Sequence, residues 1–295
     1  MKLLGIVLAV QVTLGIALVA LVATDNLPFT GDSEADGSPA RPAAVHAHRF
    51  DGAAAFRLLR RQVEMGPRPA GSPESRRLAR VLKRMVPLGR YQEVPHGLRN
   101  VIGTVRGREP GYVVVGAHYD TKDIRGFVGA NDGASGTAVA AQLARTIRRP
   151  RHTVHFIFFD GEEAPSDAAG DFEEEGLRGS KVAAPAFAKA RAMVLLDFVG
   201  DRKLGIRYEG NSDPALWRRL RSAAHRVGAL GVFPPRQQFR VADDHLPFIE
   251  QGVRSIDLID FNFPCWHLLC DDMSAVSESS VDAVGETIYA LLLRL

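Results

Sequence analysis

The stretch FIFFDGEEA, Phe156 to Ala164, sets four large apolar residues directly before Asp160, Glu162 and Glu163. A run of large apolar residues with no polar alternation is buried on both faces, as in a mainly parallel sheet with helices above and below it. Its acidic end needs a separate cause, because adjacent carboxylates repel and resist leaving water. Comparable runs recur at YVVVGAH (Tyr112–His118), AMVLLDFVG (Ala192–Gly200) and SIDLID (Ser255–Asp260). Between and around them lie helical patterns: AAAFRLLRRQVEMG, which stops at Gly66; SPESRRLARVLKRMV, with Ser72 in the capping position; Gly133–Ile147; Pro214–Val227; Leu246–Gln251; and an amphipathic helix over Ser279–Leu295. NVIGTV (Asn100–Val105) is separated from YVVVGAH by RGREPG, and the two are expected to pair as a hairpin. The expected class is α/β, a sheet covered on both faces with some antiparallel character.

A chain of 295 residues, 46% hydrophobic and 24% charged, has room for one large core. Its net charge of +3 is small. The densest basic stretch, Arg57 to Arg84, reads as the polar faces of two helices. No aromatic or glycine-rich recognition motif lies beside it, so nucleic acid is not an expected partner. Residues 1–23 carry a nearly unbroken apolar run, Leu3–Ala23, long enough to cross a bilayer as a helix. The run is expected to be either a membrane anchor or a secretory signal ending at LVA, and both place the rest of the chain outside the cytoplasm. Residues 24–49, rich in Pro, Gly, Ala and acids, read as a linker in which His46 and His48 are solvated. Residues 50–295 form the expected catalytic domain. Cys265 and Cys270, five apart around a histidine, are either a small-loop disulfide or two free thiols.

In open α/β sheets ligands gather beyond the carboxyl ends of the strands. His118 and Asp120 follow one strand, two apart and so pointing the same way. Asp132 sits in the glycine-rich turn GANDGASG. Glu162 and Glu163 end the next strand, Asp197 another, and His267 in FPCWH follows the last. Taken singly, a strand-end aspartate is a cap or turn former. Asp160 is read as a turn, His152 and His155 as surface, and His225 as structural. Taken jointly, two imidazoles and several carboxylates suit Zn²⁺, and a dication also accounts for paired glutamates in a dry cleft.

In this order GAHYDTK, GANDGASG, FFDGEEA, LLDFVG, DDHLPF and WH resemble the motifs of metallopeptidase family 28 of the zinc exopeptidases. That family includes aminopeptidases and glutaminyl-peptide cyclotransferases. The resemblance spans roughly residues 50–295 and implies a three-layer α/β/α sandwich around a mixed, mostly parallel sheet. It also implies that Asp132, Glu163 and His267 hold zinc, that Glu162 is the general base, and that Asp120 stands behind them. In two-zinc aminopeptidases the positions of His118 and Asp197 hold the second ion. In the cyclases one zinc is usual, and Asp197 and Asp243 form a hydrogen-bonded network with the base. Three features lean toward the cyclases: the long segment Pro165–Leu177, the paired Asp243–Asp244, and Trp266 before the last ligand, where it would wall a pocket for a flat uncharged side chain. The implied substrate is a peptide or protein N-terminus. Ring closure of N-terminal glutamine is the first expectation and hydrolysis of the first peptide bond the alternative. A non-catalytic anchored ectodomain is a third, and it predicts missing ligands, whereas all are present.

Overall fold

The computed structural model describes residues 45–165 and 172–295. The apolar segment 1–23, residues 24–44 of the expected linker and residues 166–171 of the long segment lie outside the described residues. Among the described residues no helix is long and apolar enough to cross a membrane. Residues 45–49, read as the end of the linker, are docked on the domain: His46 N–H donates to Val227 O at 3.0 Å, and Val45 and Ala47 pack against the core.

The described elements run α1 (Gly52–Val63), α2 (Pro73–Met85), β1 (Arg90–Val94), β2 (Leu98–Val105), β3 (Glu109–His118), α3 (Ala134–Thr146), β4 (His152–Phe159), α4 (Phe172–Glu175), α5 (Arg178–Ala186), β5 (Met193–Leu196), α6 (Pro214–Val227), α7 (Leu246–Glu250), β6 (Ser255–Leu258) and α8 (Glu278–Leu292). Caps stand where side-chain chemistry predicts them. Ser72 accepts from Ser75 N–H at 3.0 Å to open α2, and Asp213 accepts from Leu216 N–H at 2.6 Å to open α6. Gly228 closes α6 in the left-handed conformation.

The six strands form one mixed sheet in the order β1-β2-β4-β3-β5-β6. Strands β4, β3, β5 and β6 are mutually parallel, while β2 is antiparallel to both β1 and β4. Side chains alternate between two cores. Val113, Val115 and Ala117 of β3 and Val154, Phe156 and Phe158 of β4 enter a larger core with α1, α2, α3, α6 and α8. Val114, Ile157 and Phe159 enter a smaller one with α5 and α7. The sheet is thus covered on both faces, as its apolar strands require. Fully burying each of the three phenylalanines contributes about 2 kcal/mol.

The expected hairpin does not form. β4 lies between β2 and β3 and pairs with both, through Val101↔Phe158 on one side and Val115↔Phe156 on the other. An apolar strand gains from ladder partners on both edges, and this outweighs the short connection. The connection instead rides over the start of β4. Arg108 N–H donates to Pro150 O and Arg151 O, and a Cβ on Gly107 would lie 2.2 Å from the His152 carbonyl carbon. That crossing buries His152, which the sequence placed on the surface. β2 pairs instead with β1, a half-exposed edge strand whose polar residues hid it from the pattern.

Candidate metal centre and active site

The expected site residues other than Asp243, which lies just before α7, stand at the carboxyl end of a parallel strand or in the loop that follows it. His118 closes β3, Glu162 and Glu163 follow β4, Asp197 follows β5, and His267 lies in the loop after β6. Asp132 is brought in by the turn before α3. There Gly133 has φ +83°, and a Cβ on it would lie 2.5 Å from Asp120 O. Only glycine fits that approach.

Asp132, Glu163 and His267 offer one ligand atom each within 4.8 Å of one another. His267 Nε2 lies 3.6 Å from Asp132 Oδ2 and 3.5 Å from Glu163 Oε1. Ligands about 2.1 Å from a tetrahedral zinc would be about 3.4 Å apart, so the spacing suits that ion. Asp132 Oδ2 is buried and accepts no hydrogen bond among the described residues. A second set shares Asp132: His118 Nε2 lies 3.3 Å from Asp132 Oδ1 and 3.2 Å from Asp197 Oδ1. One imidazole and two carboxylates in each set are a fitting donor chemistry for zinc, with Asp132 placed to bridge.

Supporting residues hold these candidate ligands in place. Asp120 accepts from Glu162 N–H through Oδ1 and from Glu163 N–H through Oδ2, both at 3.3 Å, so one carboxylate fixes both glutamates. Asp271 does the same for the opposite wall, accepting from Asn131 N–H at 2.7 Å and Asp132 N–H at 3.0 Å. Arg68 is fully buried and donates to Gln62 O, Gly66 O and Val128 O, all at 3.0 Å, tying α1 to the loop before Asp132. Buried Lys122 sets its Nζ 3.6 Å from Glu163 Oε2. Sequence patterning missed Asp271, Arg68 and Lys122, because none ends an apolar strand. Asp271→Ala leaves two buried N–H groups without an acceptor. It is expected to cost about 2–4 kcal/mol of stability, measured by denaturant unfolding.

Burial first, and crowding of acids second, set the electrostatics of the site. Burial, with Glu163 and Asp197 beside it, pushes Asp132 up to about 6 despite His118. Burial also raises Glu162 well above its usual value, helped by Glu163, Asp243 and Asp244 and opposed by His118. Asp244 is pushed up to about 7 and Asp271 to about 8, burial being the main cause of each. Burial alone would lower His118, but the acids around it, Glu162 foremost, carry it well above its ordinary value. A bound dication would offset the mutual repulsion of these acids. Asp160, read as a turn, is also buried; it accepts from Arg99 N–H at 3.0 Å and holds the start of β2.

Behind the site, Asp243, His245 and Asp257 form a third close set, all buried. His245 Nε2 faces Glu209 Oε2 at 3.2 Å. Asp243 also lines a cavity of about 280 Å³ together with Asp132, Glu162, Glu163, Asp197, Phe198, Phe261, Trp266 and His267. Trp266 is 46% exposed, so it walls the opening and does not fill a core.

Cys265 and Cys270 are bonded to each other, which resolves the sequence alternative. The bridge closes a loop that contains Trp266 and His267. His267 has φ +53°, a conformation that strains a non-glycine residue by about 1 kcal/mol or more. Cys265→Ser/Cys270→Ser is therefore expected to weaken zinc affinity 10- to 100-fold. It should also lower stability by about 2 kcal/mol, the loop-closure value for so short a ring. Zinc titration and melting of the double variant check both effects.

Residues 100–292 match the sequence profile of peptidase family M28. The chain belongs to peptidase family M28. It is an enzyme of a zinc-dependent family, and its mixed sheet has the fold of that family. Among relatives, the glutaminyl-peptide cyclotransferase of Bothrops jararaca is 28% identical over 248 residues, covering 68% of this chain and 67% of the relative. Among solved structures, the glutaminyl cyclase of Porphyromonas gingivalis superposes with a TM-score of 0.74 at 28% identity, covering 83% of this chain and 99% of that one. A leucine aminopeptidase precursor from Bacteroides thetaiotaomicron superposes with the same TM-score of 0.74 at 27% identity, covering 85% and 99%. Both branches of the M28 fold are therefore represented among its neighbours.

Proposed function

We propose that this M28 enzyme converts N-terminal glutamine of peptides to pyroglutamate with release of ammonia. The cavity carries this assignment: it has a volume of about 280 Å³, with Glu162 and the Asp132–Glu163–His267 set on its wall and Trp266 at its opening. Asp132, Glu163 and His267 would hold the zinc ion. When bound there, zinc supplies Lewis-acid polarisation of a carbonyl oxygen. Glu162 takes a proton from the α-amine as that nitrogen bonds to the side-chain amide carbon. It then delivers the proton to the amide nitrogen, which leaves as ammonia. Asp243 is held well above its usual value, by burial first and then by Asp197 and Asp244. In its protonated form it is a hydrogen-bond donor placed at the same cavity as Glu162. Trp266 offers a ring face to the planar amide side chain.

One observation favours a second assignment, aminopeptidase activity. His118, Asp132 and Asp197 form a complete second ligand set that shares Asp132 with the first. In that case Glu162 would take a proton from water, and the first peptide bond would break. Incubating the zinc-loaded protein with a glutamine-initiated peptide separates the two: ammonia loss supports cyclisation, whereas free glutamine supports hydrolysis. One zinc per chain fits the first assignment and two fit the second. An extracytoplasmic location is supported by the apolar segment 1–23 and by the Cys265–Cys270 disulfide, which persists in oxidising compartments. If segment 1–23 is retained, it would also attach the enzyme to a membrane.

A further inference from the structure

Helices α1, α2 and α3 meet at a cleft that takes no part in the proposed chemistry. It has a volume of about 930 Å³ and is lined by Arg61 of α1 with the adjoining Glu64, by Arg77, Arg80 and Arg84 of α2, and by Arg145 of α3. Five guanidinium groups therefore stand against one carboxylate. All five arginines are exposed, and among the described residues none of them forms an ion pair. Arg77, Arg80 and Arg84 recur at helical spacing, where like charges repel each other. A second cavity of about 470 Å³ shares Arg61 and Arg145 with the first and adds Arg57. Between the charges the floor is apolar, with Met65, Val81 and Met85 half-buried. Guanidinium groups pair with phosphate oxygens in a two-pronged geometry, so a cluster of them fits a ligand that carries several phosphates.

The place of the cleft selects among such ligands. Helices α1, α2 and α3 pack on the larger core, so their outer surfaces lie on one face of the sheet. The catalytic cavity lies at the carboxyl ends of the strands and shares no lining residue with the cleft. A broad surface can therefore cover the arginines and leave the cavity open to a peptide. The first described residue, Val45, belongs to the segment that runs directly into α1, and residues 24–44 join it to the apolar run Leu3–Ala23. A chain of that length spans at most about 70 Å, so a bilayer that holds the run keeps the domain within reach of its headgroups. We propose that the cleft is a docking site for anionic phospholipid, with the headgroup phosphates of a bilayer seated among Arg61, Arg77, Arg80, Arg84 and Arg145. The apolar floor suits the glycerol and upper acyl carbons beneath a phosphate. The inference is independent of the reaction catalysed, and it gives the arginine-rich face of α1 and α2 a partner other than nucleic acid.

The test uses the full zinc-loaded chain reconstituted into two kinds of vesicle, phosphatidylcholine alone and an equal mixture of phosphatidylcholine and phosphatidylglycerol. Both kinds take up the apolar run, so the comparison reads the contact made by the domain. Phenylglyoxal modifies accessible arginines, and peptide mass gives the rate at each one. Arg77, Arg80 and Arg84 should react at least about fivefold more slowly on the anionic vesicles, and raised salt should restore their rates. Arg202, in the loop after β5 and outside the cleft, should react equally on both. Soluble glycerol phosphate at the same phosphate concentration should leave every rate unchanged. Arg77→Gln/Arg80→Gln should remove the protection of Arg61, Arg84 and Arg145, while melting and turnover of a soluble peptide stay the same, since neither residue lines the catalytic cavity. Equal cleft rates on the two vesicles, equal protection of Arg202, or protection that survives the double substitution overturns the proposal. Protection by glycerol phosphate as strong as by vesicles overturns it too, because the cleft is then a site for small soluble phosphates.

Discussion

Glu162→Gln is expected to lower turnover by ~10²-fold or more while zinc stays bound. The two carboxylates of the Glu162–Glu163 pair are separated by role. Glu163 Oε1 lies 3.5 Å from His267 Nε2, within the ligand set. Glu162 belongs to neither ligand set; its Oε2 lies 3.7 Å from His118 Nδ1, and it lines the cavity. Glutamine matches glutamate in size and retains a hydrogen-bonding end, so the wall keeps its shape while its base is lost. The main-chain anchor to Asp120 is untouched, because it uses Glu162 N–H. Metal analysis beside steady-state kinetics is the check. Undiminished turnover would remove Glu162 from the role of base. Loss of zinc would move it into the ligand set.

Stripping the metal is expected to make stability strongly pH-dependent. Asp132, Asp244 and Asp271 are pushed up to about 6, 7 and 8, from an ordinary value near 3.8. In the metal-free fold these groups keep protons that the unfolded chain has already released. Their contribution to stability is therefore present in full only below about pH 4 and is lost as pH rises toward 8, the reverse of the usual behaviour of paired carboxylates. Each tenfold difference in proton affinity between folded and unfolded chain is worth about 1.4 kcal/mol, and the groups interact, so the combined loss should reach several kcal/mol. Zinc held by Asp132, Glu163 and His267 would stabilise the ionised acids and should flatten the dependence. Melting chelator-treated and zinc-loaded protein at pH 5 and pH 8 tests this. The gap between the two forms should widen with pH, and a constant gap would show that these acids are not held protonated.

Much of the candidate site was legible because its residues terminate apolar strands. His118, Glu162, Glu163 and Asp197 end or follow strands, and Asp132 opens a helix from a glycine-rich turn. Chain order alone therefore placed them at one edge of a sheet. Asp271, Lys122 and Arg68 were not legible. Asp271 lies in an irregular loop with no period, and Arg68 in a coil segment before α2. Their importance comes from burial and from the main-chain groups they meet, which no local pattern encodes.

From sequence came the α/β class, the helix cap at Ser72 and the roster of metal-type side chains, because hydrophobic period and residue chemistry are local properties. The position of β4 between β2 and β3, the burial of His152 and the bonding of Cys265 to Cys270 were decided only in three dimensions. Each depends on which distant segments compete for one sheet edge or one volume of core, a competition settled by the total area buried and not by any segment's own preference.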